Sequence, residues 1–120
     1  MGELYLELTV ANIEDREKQK EIPFLVETGA TRAWITPQDA EDLDIHPVGE
    51  VELVHADGTV KTFPYGACWF DFGGETIAGN VVIGPVGREP LVGTHVLQDF
   101  RLVIDMEHHV VSRKRALKAK

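Results

Sequence analysis

The sequence contains few of the residues on which common nucleophilic mechanisms depend. Its 120 residues include one cysteine, Cys68, and one serine, Ser112. A single cysteine cannot form an intramolecular disulfide, so a reducing compartment fits best and we expect a cytoplasmic protein. Cys68 lies in an alternating segment typical of a packed strand, and Ser112 has no nucleophile motif around it. Serine and cysteine catalysis therefore have little support.

Motifs for metals, nucleotides and membranes are also missing. The five histidines form no HExxH motif and no zinc-type spacing with cysteine. There is no GxGxxG or other phosphate-binding loop. No apolar run approaches the roughly 20 residues needed to cross a bilayer, and the N-terminus lacks the features of a signal peptide. We therefore expect no metal, no cofactor, no signal peptide and no membrane partner.

Basic residues are scarce outside the C-terminus. The net charge is −8, but residues 1–112 carry 20 acidic and 7 basic side chains, whereas residues 113–120 carry five bases and no acid. The acidic body argues against nucleic acid as the main partner. We predict one domain over residues 1–112, followed by a basic, solvated tail over residues 113–120.

The N-terminal third predicts a hairpin followed by a short helix. Leu4 to Val10 alternates apolar and polar residues, which is typical of a half-buried strand. A charged segment follows, which we interpret as an exposed loop, and Ile22 to Val26 resumes as an apolar strand that can pair with the first. Thr36 is a suitable N-cap for a short helix over Pro37 to Leu43, because proline favours the first helical position.

Two glycine-containing turns predict further hairpins. Asp57-Gly58 lies between the strand-like arms of Val51 to Thr62, and this pair favours a tight turn that matches strand twist. Gly73-Gly74 separates Tyr65 to Phe72 from Glu75 to Ile83 and suits a two-residue turn.

The C-terminal part completes the pattern of an all-β domain. Helical spacing of apolar residues predicts a short helix over Thr94 to Phe100. Leu102 to Ile104 and Val110-Val111 are predicted as final strands that turn near Glu107-His108. No βαβ alternation is present, so the pattern favours an all-β fold with one or two short helices. The two halves also share an apolar strand that ends at glycine and threonine, FLVETGAT and PLVGT.

The segment FLVETGAT, residues 24–31, resembles the signature of retropepsin-like aspartic proteases of clan AA. In that family an apolar strand ends in Asp-Thr-Gly-Ala/Ser. The order of the later elements also agrees with the family. The Asp57-Gly58 hairpin lies where the family has its flap, and it is followed by the element Leu91-Val92-Gly93, the helix THVLQDF and the strand RLVID. The resemblance covers about Leu4 to Val111 and implies a single-lobe, retropepsin-like acid protease fold, closed and β-barrel-like, with a flap hairpin.

The resemblance also implies an assembly and a reaction. One lobe with one acid motif implies a homodimer in which each copy contributes an acid to a shared site. Two carboxyls that share one proton can activate water and protonate the leaving group of a polypeptide substrate. Glu27 takes the catalytic position, and Thr28, Gly29, Ala30 and Thr31 form the active-site loop. The resemblance assigns substrate contacts to Val54, His55, Ala56, Asp57, Gly58, Thr59 and Val60 in the flap and to Leu91, Val92 and Gly93.

Glu27 departs from the family, which has aspartate at this position. Glutamate keeps the charge but adds a methylene on each of two facing side chains, and a misplacement near 1 Å can cost about 100-fold in rate. We therefore expect reduced or absent activity. Two interpretations stay open: a protease weakened by substitution, or a natural member that has lost its activity or changed its chemistry. The alternative function is a dimeric module that binds peptides or proteins without cleavage.

Overall fold

The computed structural model describes residues 3–114, which form nine strands and two short helices. The strands are β1 (Tyr5–Asn12), β2 (Gln19–Val26), β3 (Ala33–Ile35), β4 (Gly49–Val54), β5 (Val60–Phe72), β6 (Glu75–Ile83), β7 (Leu91–Val92), β8 (Leu102–Asp105) and β9 (Val110–Arg113), and the helices are α1 (Pro37–Asp42) and α2 (Thr94–Asp99).

The predicted N-terminal hairpin is present, and its strands are longer than the apolar pattern indicates. β1 and β2 pair antiparallel, with Leu8 opposite Ile22. β1 extends two residues beyond Val10 because Asn12 is buried and hydrogen-bonded. Its side-chain nitrogen donates to the carbonyls of Leu43 and Asp44, at 2.9 Å each. These hydrogen bonds tie the end of the hairpin to the end of α1.

Seven of the strands form one sheet in the order β1-β2-β7-β3-β6-β5-β4. β1 also pairs with β5, so six of these strands close into a ring. Most neighbours are antiparallel, but β2 pairs with β7 and β3 with β6 in parallel. The parallel contact between β2 and β7 brings the ends of the two similar segments, FLVETGAT and PLVGT, to the same level.

β5 joins two segments that the sequence divides into separate strands. It runs without interruption for 13 residues through Pro64, which pairs with Glu50 of the neighbouring strand. Its first half pairs with β4, and its second half pairs with both β6 and β1. At its far end, Gly73 and Gly74 both adopt positive φ angles, 56° and 82°, which gives the predicted two-residue turn. β3 was not predicted, because three residues are too few to show a period.

The two helices lie where the sequence predicts them. The Thr36 hydroxyl accepts the Asp39 amide at 3.0 Å, and the Asp39 carboxylate accepts the Thr36 amide at 3.4 Å. This reciprocal capping box, with Pro37 in the first turn, explains why so short a helix begins at this point. None of the helices within residues 3–114 has the length and apolar composition to span a membrane.

The core consists of inward-facing strand residues and the apolar faces of both helices. Among the fully buried side chains are Phe24, Phe70 and Phe100, and Phe24 packs edge-on against Phe70 at 6.3 Å. Burying each such side chain contributes about 1.5–3 kcal/mol. A second, smaller cluster surrounds Trp34, Val82 and Leu91. Ala30 of the loop after β2 and residues Val51, Leu53 and Phe63 of strands β4 and β5 pack against this second cluster.

The chain ends with the predicted β8–β9 hairpin, which forms a separate two-stranded sheet. Arg113, which is predicted from the sequence to begin the basic tail, is the last residue of β9 and forms a salt bridge with Glu75 at 3.2 Å. The Lys114 amide donates to the carbonyl of Arg101 at 2.7 Å. The rest of the predicted tail, residues 115–120, lies outside the described residues.

Candidate active site

Glu27 is the first residue after β2 and is exposed, although Val26 directly before it is buried. Its amide donates to the carbonyl of Val92 at 3.0 Å, which continues the parallel pairing of β2 and β7. The chain then turns, because the Ala30 amide donates back to the carbonyl of Glu27 at 3.1 Å. The carboxylate is thus presented to solvent from a backbone that is hydrogen-bonded on both sides.

The carboxylate of Glu27 also interacts with its own loop. Its Oε1 accepts the amide of Gly29 at 3.1 Å. Gly29 does not adopt the positive φ angles that favour glycine, and a Cβ at this position would lie 3.3 Å from Glu27 Oε1. The absence of a side chain at Gly29 therefore gives the carboxylate room beside the loop, rather than permitting an unusual backbone conformation.

Gly93 permits the closest backbone approach in this region. A Cβ on Gly93 would lie 2.5 Å from the Ala30 carbonyl oxygen and 2.8 Å from the carbonyl carbon of Thr31. These distances are too short for any side chain. The first residues of α2 complete the support, since the amides of Thr94 and His95 donate to the carbonyls of Ala30 and Thr31, at 2.9 and 3.1 Å. The loop after Glu27 is therefore held from behind by Gly93 and α2.

Thr28 is exposed, and its side chain makes no hydrogen bond to any of residues 3–114. The role in the active-site loop that the resemblance gives Thr28 stays a prediction.

The hairpin predicted as a flap consists of β4, the first half of β5 and the turn between them. The amide of His55 donates to the carbonyl of Thr59 at 2.8 Å, and the amide of Gly58 donates to the carbonyl of His55 at 2.9 Å. Gly58 has a φ of 87°, so the loop is a type I turn followed by a left-handed glycine. Val54 and Val60, which pair at the base of the turn, are 73% and 54% exposed. The end of the hairpin thus presents apolar side chains to solvent.

Asp57 stabilises this turn through its side chain. Its Oδ1 accepts both the hydroxyl and the amide of Thr59, at 2.6 and 2.9 Å. These hydrogen bonds lower the pKa of Asp57 below its ordinary value, and the bond from the Thr59 hydroxyl has the largest effect. The carboxylate therefore has a structural role within the hairpin.

A cavity of about 340 Å³ lies between the active-site loop and this hairpin. Five predicted site residues line it: Gly29, Ala30 and Thr31 from the loop, and Val54 and His55 from the hairpin. Leu91, Val92 and Gly93 are buried and lie behind the loop as its support, not on the cavity wall. Glu27, Thr28 and the turn residues Ala56, Asp57, Gly58, Thr59 and Val60 also lie outside the lining.

The cavity is also lined by residues that were not among the predicted site residues. Arg32, Trp34, Leu53 and Arg88 all contribute to it. Trp34 packs edge-on against Phe63 of β5 at 5.0 Å, so the hairpin and the active-site loop share one apolar cluster. No family motif in the sequence marks these positions, and Arg88 in particular lies in a turn 61 residues after Glu27.

Neither a cysteine nucleophile nor a metal site competes with Glu27 among the described residues. Cys68 is buried, and burial raises the pKa of its thiol to about 12, which makes it a poor nucleophile. Within residues 3–114, no three histidine, cysteine or acidic side chains are grouped so that they could hold a metal ion.

Comparison with known proteins connects this arrangement to a family. The family model described as "Aspartyl protease" matches residues 9–104, which include the loop after β2, the hairpin and most of the sheet. Among curated proteins, no sequence matches the chain.

Solved structures share the fold over most of the chain. The EIAV protease complexed with the inhibitor HBY-793 superimposes with a TM-score of 0.61 at 14% identity, covering 82% of this chain and 88% of that one. A retropepsin-like aspartic protease from Rickettsia conorii gives 0.58 at 23% identity, covering 87% and 77%. The retroviral protease-like domain of Ddi1 from Leishmania major gives 0.60 at 15% identity, covering 97% and 91%.

These matches confirm the resemblance that the sequence predicts from FLVETGAT and the order of elements. At such identities the structures show the fold alone, and the family model shows the family. The chain belongs to the aspartyl protease family and has the retropepsin-like fold.

Proposed function

We propose that the chain is an endopeptidase of the aspartic type, weakened by Glu27, whose site is completed by a second copy of the chain. The observation that carries this proposal is the presentation of Glu27. A single exposed carboxylate projects from a loop that the backbone holds at both ends, beside a cavity under a hairpin. One carboxylate alone cannot supply both the base and the acid that peptide hydrolysis requires.

A twofold axis near Glu27 supplies the missing group. Each copy then contributes one carboxylate, and the pair shares a proton because two like charges a few ångströms apart cannot both ionise easily. The carboxylate activates water, and the protonated partner donates to the leaving nitrogen. The exposed valines on the β4–β5 hairpin, Val54 and Val60, would then close over an extended polypeptide and exclude water.

The extra methylene of Glu27 explains the expected loss of rate. In each copy Oε1 is held 3.1 Å from the Gly29 amide, so the added length of the side chain is accommodated against its own loop. Replacing glutamate by aspartate draws the carboxylate back by about one carbon–carbon bond. This change restores the side chain for which the family's loop is built.

The test compares the chain with Glu27→Asp and Glu27→Gln on a mixture of peptides from acidic to neutral pH. We expect Glu27→Asp to cleave at least about 100-fold faster than the chain itself, with inhibition by pepstatin, because misplacement near 1 Å costs about that factor. Glu27→Gln should be inert, since an amide cannot act as the base. Mass spectrometry of the products measures all three.

The second candidate is a dimeric module that binds peptides without cleaving them. The hydrogen bond between Glu27 and Gly29 favours this candidate, because it engages the carboxylate within its own loop. Complete inertness of Glu27→Asp, in a protein that is folded and dimeric and still binds peptides, would overturn the peptidase proposal and support the module.

A further inference from the structure

Arg88 is an exposed residue that lines the cavity under the β4–β5 hairpin, and its side chain lies over Trp34. Its guanidinium carbon is 4.1 Å from the centre of the Trp34 ring. Trp34 is only 6% exposed and is itself held by Phe63. Stacking on a buried aromatic ring restrains the guanidinium without using its N–H donors. Arg88 is thus a cation that stacks on Trp34 and has no hydrogen-bonded acid among residues 3–114.

Arg32 adds a second cation to the same cavity. It is partly buried and follows the active-site loop by one residue. Neither Arg32 nor Arg88 forms a salt bridge with any of residues 3–114, which is also true of Arg16 and Lys61, whereas Lys18, Lys20 and Arg101 are each paired with carboxylates. Arg32 and Arg88 differ from the other two in lining one cavity. In a body that carries 20 acids and 7 bases over residues 1–112, two unpaired arginines in one cavity point to a ligand of negative charge.

His55 contributes a polar nitrogen from the hairpin. Its Nε2 is buried and has no hydrogen-bond partner among the described residues. Buried polar side-chain atoms are paired in the large majority of cases, so an unpaired one at a cavity wall indicates a site for a polar ligand. The hairpin side of the cavity therefore offers a nitrogen that can donate to an anion when the imidazole proton is on Nε2.

We propose that this cavity is a subsite for an acidic side chain of the substrate, with Arg88 as its main ligand and Arg32 and His55 as further donors. A guanidinium binds a carboxylate through two parallel hydrogen bonds, which fixes its position as well as its charge. The wall formed by Gly29, Ala30 and Thr31 places the subsite beside Glu27. That the carboxylate belongs to a polypeptide rests on the proposed function.

The charges around the site explain why such a subsite is needed. A substrate carboxylate that approaches the Glu27 pair is repelled by it and loses its water on entry. Pairing with an arginine offsets both effects, whereas a lysine or arginine in the substrate would meet Arg88 as a like charge. The cavity should therefore select acidic over neutral side chains and disfavour basic ones.

Binding to the chain with its native Glu27 is the first test. The probes are two pools of acetylated, amidated octapeptides, with one position fixed as glutamate or as glutamine and the others drawn from alanine, valine, leucine and phenylalanine. Blocked termini remove any backbone carboxylate as the ligand. We expect the glutamate pool to bind at least 10-fold more tightly by fluorescence anisotropy. Arg88→Gln should bring this ratio close to one by weakening the binding of the glutamate pool.

Lys61→Gln is the matched control for charge. Lys61 is an exposed cation on β5 outside the cavity and forms no salt bridge with residues 3–114, so its removal changes the net charge equally. The glutamate preference should survive in Lys61→Gln. Equal binding of the two pools by the native chain, or equal loss of preference in Lys61→Gln and Arg88→Gln, would overturn the subsite.

Arg32 is tested separately, because it also lines a neighbouring cavity of about 160 Å³ that contains Asp99. Arg32→Gln should lower the glutamate preference less than Arg88→Gln does. An equal or larger effect in Arg32→Gln would contradict the assignment of Arg88 as the main ligand.

A cleavage profile in the Glu27→Asp background separates the subsite from the proposed function. We expect products from the glutamate pool in which the glutamate lies at a fixed distance from the cleaved bond. Arg88→Glu should instead prefer a third pool of the same design, in which the fixed position is lysine. Cleavage without acid preference would overturn the subsite and leave the peptidase proposal intact. If binding of the glutamate pool depends on Arg88 but no peptide is cleaved, the subsite is supported and the peptidase proposal is overturned.

Discussion

At the scale of single residues, the site depends on one carboxylate and on the glycines around it. Glu27 could be singled out from the sequence because an acid at the end of an apolar strand is unusual. The sequence could not show why position 29 is a glycine, because the answer depends on where the Glu27 side chain lies. A Cβ at Gly29 would be 3.3 Å from Oε1 of Glu27. Arg88 was missed because its importance comes from Trp34, which the fold brings beneath it.

Gly93 gives the sharpest residue-scale prediction. In Gly93→Ala the new Cβ would lie 2.5 Å from a backbone oxygen of Ala30, and neither backbone can move without breaking hydrogen bonds. We expect a loss of about 3 kcal/mol in the free energy of unfolding, at the upper end of the cost of overpacking. Urea denaturation followed by circular dichroism measures the change.

Gly74→Ala is the control, because Gly74 has a positive φ of 82° and no atom within 4 Å of an added Cβ. Only backbone strain opposes that substitution, so we expect a loss of about 1 kcal/mol. If Gly93→Ala is no more destabilising than Gly74→Ala, the close approach of Gly93 to the loop does not constrain the molecule.

At the scale of elements, the C-terminal hairpin is joined to the main sheet by an ionic cluster around Glu75. Arg101 donates to both oxygens of Glu75 at 2.8 Å, and Arg113 of β9 lies 3.2 Å from one of them. The hydrogen bonds from Arg101, with a smaller effect of its charge and that of Arg113, hold the pKa of Glu75 below its ordinary value of 4.5.

This lowered pKa predicts a dependence of stability on pH. As the pH falls below about 4.5, the unfolded chain binds a proton at Glu75 before the folded protein does, so the contribution of this cluster is present at neutral pH and lost in acid. Glu75→Gln should therefore be less stable than the native chain at neutral pH, and the difference should shrink as the pH falls through this range. Urea midpoints measured from pH 7 to about pH 3 test this.

Glu41→Gln serves as the comparison, since Glu41 is exposed on α1 and forms no salt bridge within residues 3–114. The loss of a carboxylate that has no salt bridge controls for the change in net charge. A difference between Glu75→Gln and the native chain that stays constant with pH would contradict the ionic role of the cluster.

The success of prediction for each element follows from local physics. α1 was found because Thr36, Pro37 and Asp39 specify its start through local hydrogen bonds. The Gly73-Gly74 turn was found because both positions require positive φ angles. β3 was missed and β5 was divided in two, because their pairing partners lie far away in sequence and only the closed sheet determines their extent.

At the scale of the whole molecule, the residues alone predict the class and order of the elements, whereas the closed form of the sheet was implied only by the family resemblance. Alternation along Leu4 to Val10 indicates a strand without showing that β1 pairs with both β2 and β5. The retropepsin-like resemblance supplied the fold because it extends over nearly the whole chain. The cavity and its arginines arise only when the hairpin and the Pro85–Arg88 turn come together in three dimensions.

The central claim is that two copies of the chain meet at Glu27. Cys68 is buried with a pKa near 12, so Glu27→Cys introduces the one reactive thiol among the described residues. The most direct measurement is the yield of covalent dimer when Glu27→Cys reacts with a short thiol-to-thiol crosslinker, beside Glu17→Cys in the exposed loop after β1. We predict efficient crosslinking of Glu27→Cys and none of Glu17→Cys. A monomer, or a dimer in which position 27 does not crosslink, would contradict the shared site.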